Sequence, residues 1–497
     1  MQRRAIMIRI FCFLIAVILS TPITASAKIT LFTFDNDRGE IWTTGNIVTR
    51  YENWDWFQPS RQVNDNNDYD YYWIRSRLGF GFTLKRVEVF LEIQDTHMWD
   101  LPNNAVASPP QGALGLGAIY YAHRRNGNSH GTFVNQGYIR LKDIFIDGLS
   151  LKGGRFNYAD GLEATYDNPK IMWLKKFRLS QRLIGPFGWS AFGRSFDGGQ
   201  ISLDRELFNV TTMASHPREG GFENDGNHHI DDIDLVAATL TLKHDKVIPH
   251  TENRFFYIFY NDDRKMNKVD NTPAGSGLNS GNIEIHTMGL HWLSTLDLGP
   301  GVGDFLVWGT GQWGDWGTLT HQAWAWAAEI GYQFTKLPAK PWFRIGYFQS
   351  SGDSNPADSA HETFFQILPT ARLYAFTPFY NLMNNKDFFI QLLLKPIAKM
   401  VVRTDLHFLQ LNERGDRWYM GAGATRDRGN IFGYIGRPSF GDTDLANVLD
   451  FTIAYDFNQH INLNAYYGRV LGDDVIENIY QREDDANFFY FEMKIKF

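Results

Sequence analysis

Five arginines in this chain have the spacing of residues that meet a passing solute. Arg75, Arg77, Arg140, Arg344 and Arg403 fall on one parity of segments in which polar and apolar residues alternate. Glu88, Glu92, Asp405, Asp450, Glu492 and Lys494 share that parity. A guanidinium is planar, always charged and rich in donors, so it recognises carboxylates rather than making or breaking bonds. A ring of guanidinium groups in a narrow passage would attract the carboxylates of an anionic polymer and guide them through. The alternative is that the same arginines pair with the lumenal acids and brace a barrel wall.

Other constellations carry less chemistry. The run ENDGNHHIDDID, residues 223–234, gathers acids around His228 and His229. It lacks the Asp-x-Asp-x-Asp-Gly spacing of a calcium loop, so a solvated loop is expected before a divalent-cation site. The glycines of GALGLG at 112–117 do not follow a strand inside a βαβ unit, so loop flexibility explains them. No G-x-S-x-G elbow is present, and neither an enzyme nor a metal or cofactor is expected.

The elements that must hold these arginines are strands. Tyr72, Ile74, Leu78, Phe80, Phe82 and Leu84 share one parity, and Trp73, Arg75, Arg77, Gly79, Gly81 and Thr83 the other. After Lys85-Arg86 the pattern resumes, Val87, Val89, Leu91 and Ile93 alternating with Glu88, Phe90, Glu92 and Gln94. That is a hairpin of two period-2 strands with one apolar face. Similar segments recur near 41–54, 133–142, 149–157, 195–203, 207–215, 233–243, 252–261, 282–294 and 304–314. They continue near 321–334, 341–350, 387–395, 400–410, 447–456, 461–471 and 486–497, which makes eighteen. Short links alternate with long ones rich in Asn, Asp, Gly and Pro. This is the pattern of an all-β, antiparallel transmembrane barrel with short periplasmic turns and long extracellular loops. Tryptophans 42, 54, 56, 73, 308, 313, 316, 324 and 326 cluster near strand ends and are expected to form an aromatic girdle.

Composition agrees. Residues 1–27 combine Arg3, Arg4 and Arg9, an apolar run from Ile10 to Leu19 and Ala25-Ser26-Ala27, the pattern of a cleaved export signal. The barrel would then occupy 28–497. The formal net charge of −7 becomes −10 without the three leader arginines. No basic excess marks a nucleic-acid partner. The only cysteine, Cys12, leaves with the leader, so stability must come from a regular hydrogen-bonded framework rather than disulfides. In the last strand Phe489, Phe491, Met493, Ile495 and Phe497 alternate with Phe488, Tyr490, Glu492, Lys494 and Lys496. A terminal phenylalanine on the apolar parity resembles the sorting strand of bacterial outer-membrane proteins, which the barrel-assembly machinery reads.

Five stretches resemble the alginate-export family of outer-membrane proteins. They are GGRFNYADG at 153–161, GRSFDGGQISL at 193–203, GYFQSSGD at 346–353 with FFQILPTARLYAF at 364–376, and RTDLHFLQL at 403–411. The likeness runs in order from about residue 40 to the C-terminus. It implies an eighteen-stranded barrel in the bacterial outer membrane and adds Arg155 and Arg194 to the substrate path. With Arg75, Arg77, Arg140, Arg344, Arg403, Asp405 and Lys494, these would line a pore exporting an alginate-like polyuronate. Lipid and the polysaccharide are the expected partners, with periplasmic secretion proteins beyond them. A diffusion or uptake porin for small solutes is the alternative. A barrel enzyme acting on outer-membrane lipid ranks last, because eighteen strands exceed what such enzymes need.

Overall fold

The computed structural model describes residues 28–497 apart from 36–37, 61–65, 244–248, 265–267, 269–270, 272–280, 371–374 and 421–435. The leader 1–27 lies outside the described residues. Period-2 alternation over so many segments yields one antiparallel sheet that closes on itself. A closed sheet leaves no unpaired edge, which lipid would punish. The barrel strands begin with Gly39–Asp55, Asp68–Leu84, Val87–Trp99, Ser129–Lys142, Leu149–Phe156 and Phe196–Asp204. Next come Phe208–Pro217, Ile233–Lys243, Thr251–Asp262, Ile283–Leu298, Gly301–Trp316 and Leu319–Gln333. Trp342–Ser350, Asn385–Leu394, Met400–Leu411, Asp444–Asp456, Ile461–Gly472 and Asp485–Lys496 complete the eighteen.

Closure joins the first and last strands, from Asn46↔Lys496 to Asp55↔Asn487. The rest of that edge is covered by a short N-terminal strand, Ile29–Phe34, from Ile29↔Thr43 to Phe34↔Gly39. Phe497 sits at the joint, donating from its N–H to Gly45 O (3.0 Å) and accepting from Gly45 N–H (2.7 Å). Its ring lies where a side chain at residue 45 would be, so any larger residue there would have to displace it.

Inside and outside follow the sequence parity. Leu78, Phe80, Phe82, Val87, Val89, Leu91 and Ile93 are exposed on the outer surface, while Trp73, Arg75, Phe90 and Gln94 are buried. On a barrel an exposed apolar band is the lipid face. Leu78→Arg or Leu91→Arg should therefore cost ~2–4 kcal/mol. Thr83→Arg, facing inward, should cost less than half of that, as read by urea unfolding in bilayers. Equal costs would invert the assignment.

Two expectations need correction. Trp54, Trp56, Trp73, Trp308 and Trp316 are at most 2% exposed and point inward, and Trp42 stacks on the inward Phe90 at 5.2 Å. Trp313, Trp324 and Trp326 do face outward, as a girdle requires. Connection length also breaks its alternation once, because strands Gly301–Trp316 and Leu319–Gln333 are joined on the extracellular side by two residues.

The interior is filled by loop 157–195 and by the described parts of loop 351–384, residues 351–370 and 375–384. They touch through a parallel bridge, Ile184↔Leu368, with Gly185 N–H donating to Leu368 O (2.9 Å) and Leu368 N–H to Leu183 O (2.8 Å). Loop 157–195 reaches the periplasmic end, where Lys170 Nζ donates to Val302 O (3.0 Å) and Trp173 packs on Trp342 at 4.6 Å. Buried apolar residues of both loops and of the inner wall form the core. The core of this protein is thus inside the barrel.

Candidate functional site

The lumenal face of the first strands carries a strip of cations. Register sets Lys494, Val48, Arg75 and Thr96 in one row, and Lys496, Asn46, Arg77 and Gln94 in the row below. Arg140 lies between Glu88 and Lys152 on neighbouring strands. Arg75 donates from Nη1 to the carbonyls of Gly188 (3.0 Å) and Ser190 (2.7 Å) on the inner loop. Arg77 donates from Nε to Gln94 Oε1 (2.7 Å). Lys152 Nζ donates to Gln200 Oε1 (3.3 Å) and lies 5.3 Å from the Tyr138 ring centre.

The nearby acids are engaged elsewhere. Glu88 takes Lys142 and Tyr138, Glu92 takes Asn135 (2.5 Å) and Gln136 (3.2 Å), and Glu492 takes Arg50 (2.6 Å). Among the described residues, Arg75, Arg77, Arg140, Lys152 and Lys494 have no carboxylate within ion-pair distance. Wall cations that meet carbonyls and amides, as Arg75, Arg77 and Lys152 do, rather than carboxylates keep their field for a solute.

The remaining predicted residues do other work. Arg344 is a brace, pairing with Asp304 (3.1 Å) and Glu329 (3.0 Å). Arg403 holds Asp405 through Nε (2.7 Å) and Nη2. Arg194 latches the two inner loops together, donating from Nη1 to Leu368 O (2.9 Å). Arg155 is a correction. It shares the outward parity of Ile201, which is 53% exposed, and pairs with Asp197 (2.8 Å) at the extracellular rim. Arg469 likewise faces outward, pairing with Asp485 (2.7 Å) in line with the exposed Leu471. Register keeps both outside, Arg155 opposite Asp197 and Arg469 opposite Asn487; a bulge at Asn135, where Glu92↔Gln136 is followed by Ile93↔Val134, lies on the preceding strand pair.

Loop cations were missed by the strand-parity search. Arg178 and Arg182 in loop 157–195 both bind Glu329 and Lys175 binds Glu252 (2.7 Å), while in the reverse sense Arg254 of strand Thr251–Asp262 binds the loop's Asp160 (2.6 Å) and Glu163 (2.8 Å). The available signal was the basic run KKFRLSQR, residues 175–182, in a link otherwise read as a loop. Lys152, on the lumenal parity of strand Leu149–Phe156, was also missed.

Beside the inner loops a cavity of about 560 Å³ remains. Trp173, Phe177, Trp189, Phe376 and Tyr490 give it aromatic walls, and Lys176 and Arg403 give it charge. Flat aromatic faces with nearby cations suit rings that bear carboxylates, including uronate sugars.

At the extracellular mouth the 223–234 run is only partly the solvated loop expected. Glu223 and Asn224 are buried while His228 and Asp231 are exposed. His123 Nε2 lies 2.5 Å from Glu223 Oε2. Burial, and then the Glu223 carboxylate, push the neighbouring Glu219 carboxyl up to about 7.

Comparison with known proteins places this architecture. The alginate-export family model matches residues 57–488. No curated protein matches the chain. Pseudomonas aeruginosa OpdK, solved with vanillate, is 9% identical, with 92% of this chain and 98% of that one covered at a TM-score of 0.53. Acinetobacter baumannii OccAB4 gives 8%, 92% and 98% at 0.55. Pseudomonas aeruginosa OccK9 (OpdG) gives 10%, 94% and 100% at 0.55. At such identities the likeness is one of fold.

Proposed function

This chain belongs to the alginate-export family of bacterial outer-membrane barrels, and on that premise we propose that it exports an anionic exopolysaccharide, an alginate-like polyuronate. The observation that carries this reading is the strip Arg75, Arg77, Arg140, Lys152 and Lys494, cationic and without carboxylate partners in a protein of net negative charge. A low-dielectric wall focuses such a field on the passage. A uronate chain would exchange carboxylates along the part-exposed Arg77, Arg140, Lys152 and Lys494, with the buried Arg75 adding its field from behind the inner loop, while its sugar rings stack on Trp173, Trp189 and Tyr490. Family members and the similar solved structures are channel barrels, and the reading requires no bond chemistry.

The second reading is uptake of small solutes. Its support is the cavity, whose volume suits one small molecule, and the likeness to OpdK, which was solved with vanillate, an aromatic carboxylate. Planar-bilayer recording of the purified protein separates the two. Under a salt gradient the reversal potential should show anion preference, and a uronate oligomer should block the current. A cation-selective channel indifferent to polyuronate would overturn export and leave the small-solute porin.

A further inference from the structure

One group of buried side chains takes no part in the cationic strip. Asp387 lies on strand Asn385–Leu394, Asp405 and His407 on Met400–Leu411, and Asp450 on Asp444–Asp456. All four are at most 3% exposed. Asp405 stands directly opposite Asp450 in the register, and like charges so placed repel. The sequence read RTDLHF here as a strand and left His407 without a role.

The hydrogen bonds around the cluster have a direction. His407 Nδ1 lies 3.0 Å from both Oδ atoms of Asp387, where only an N–H can serve it, and its Nε2 faces the other carboxylates. Nε2 has no hydrogen-bond partner, and its distance to Asp405 Oδ2 is 4.0 Å. Asp405 Oδ2 accepts from Arg403 and from Gln391 (3.1 Å), while Oδ1 accepts nothing. Asp450 is held by Tyr466 Oη, the Phe376 N–H and Thr377 Oγ1 (3.4 Å). Tyr380 Oη donates to Asp387 (3.2 Å). Three carboxylates thus converge on one guanidinium and one imidazole.

An imidazole that donates one N–H to a carboxylate and turns its other nitrogen to a group of acids is the arrangement found around bound metals. One donor atom from each of Asp405, His407 and Asp450 lies within 4.8 Å of the others. We propose that these three residues hold a divalent first-row transition ion, with Asp387 positioning the imidazole. One nitrogen and two carboxylate oxygens suit Zn²⁺, whose bonds of ~2.0–2.2 Å small side-chain rotations would satisfy. The ion relieves the Asp405–Asp450 repulsion and ties three strands to loop 351–384 through Phe376 and Thr377. Arg403, Phe376 and Thr452 border both this cluster and the open cavity, which gives the ion an entry path. The inference is independent of the transported solute.

The test is metal analysis of the protein extracted from outer membranes and dialysed against micromolar Zn²⁺. The expected result is about one zinc per chain in wild type and background levels in His407→Gln and Asp450→Asn. Asp387→Asn should weaken zinc affinity by roughly 10–100-fold. Zinc should raise the temperature of the heat-modifiable gel transition in wild type only. If His407→Gln fails to fold, wild type and Asp387→Asn still decide. Background zinc in wild type, with a transition unmoved by zinc or chelator, would overturn the site and assign His407 as an imidazolium between Asp387 and Asp405.

Discussion

Replacing Glu329 by Gln should loosen the inner loop and enlarge the conductance. Its carboxylate accepts from Arg178 Nε (3.0 Å) and Arg182 Nη2 (3.3 Å) and forms an ion pair with Arg344 Nη2 (3.0 Å), and all four side chains are fully buried. Arg344 keeps Asp304, but Arg178 and Arg182 belong to loop 157–195 and lose the Glu329 carboxylate that ties them to the wall. Removing one partner of a buried pair leaves uncompensated charge and costs about 3–5 kcal/mol. The rim pair Arg469–Asp485 is far more exposed, and Arg469→Ala there should cost no more than ~1 kcal/mol. Urea unfolding checks the difference, and single-channel recording checks the loop. Wild-type conductance in Glu329→Gln, with a loss below ~1 kcal/mol, would mean the arginines do not pin the loop.

This network shows which parts of the molecule a single sequence makes legible. Strand identity was legible because period-2 alternation is imposed at every position by lipid on one side and a polar interior on the other. All eighteen segments are strands for that reason. Parity was legible too, and it places Arg155 and Arg469 on the outer face. Both sit one to three residues from the extracellular ends of their strands, where an outward charge meets water and an acid. The tryptophans misled because position along a strand was read without its face. Trp73 shares the parity of Arg75 and belongs inside with it. Loop direction was not legible. Whether a 39-residue link lies above the barrel or inside it depends on whether the wall offers acids to its cations. Glu252 and Glu329 do so from strands distant in sequence.

The same separation of braces from unpaired cations governs the selectivity experiment. Arg75→Glu with Arg77→Glu should turn anion preference into cation preference and abolish block by a uronate oligomer. The two guanidiniums bind only loop carbonyls and Gln94. Their replacement moves four charges on the inner wall, where the low-dielectric surround magnifies each. Glu92 and Glu492 lie close by, so the new carboxylates would extend an existing negative field. The informative comparison is Arg344→Gln, which removes a cation already matched by Asp304 and Glu329. That variant should lose stability and keep its reversal potential. If instead Arg344→Gln shifts selectivity and the double glutamate variant does not, the strip is the brace and the inner network is the filter.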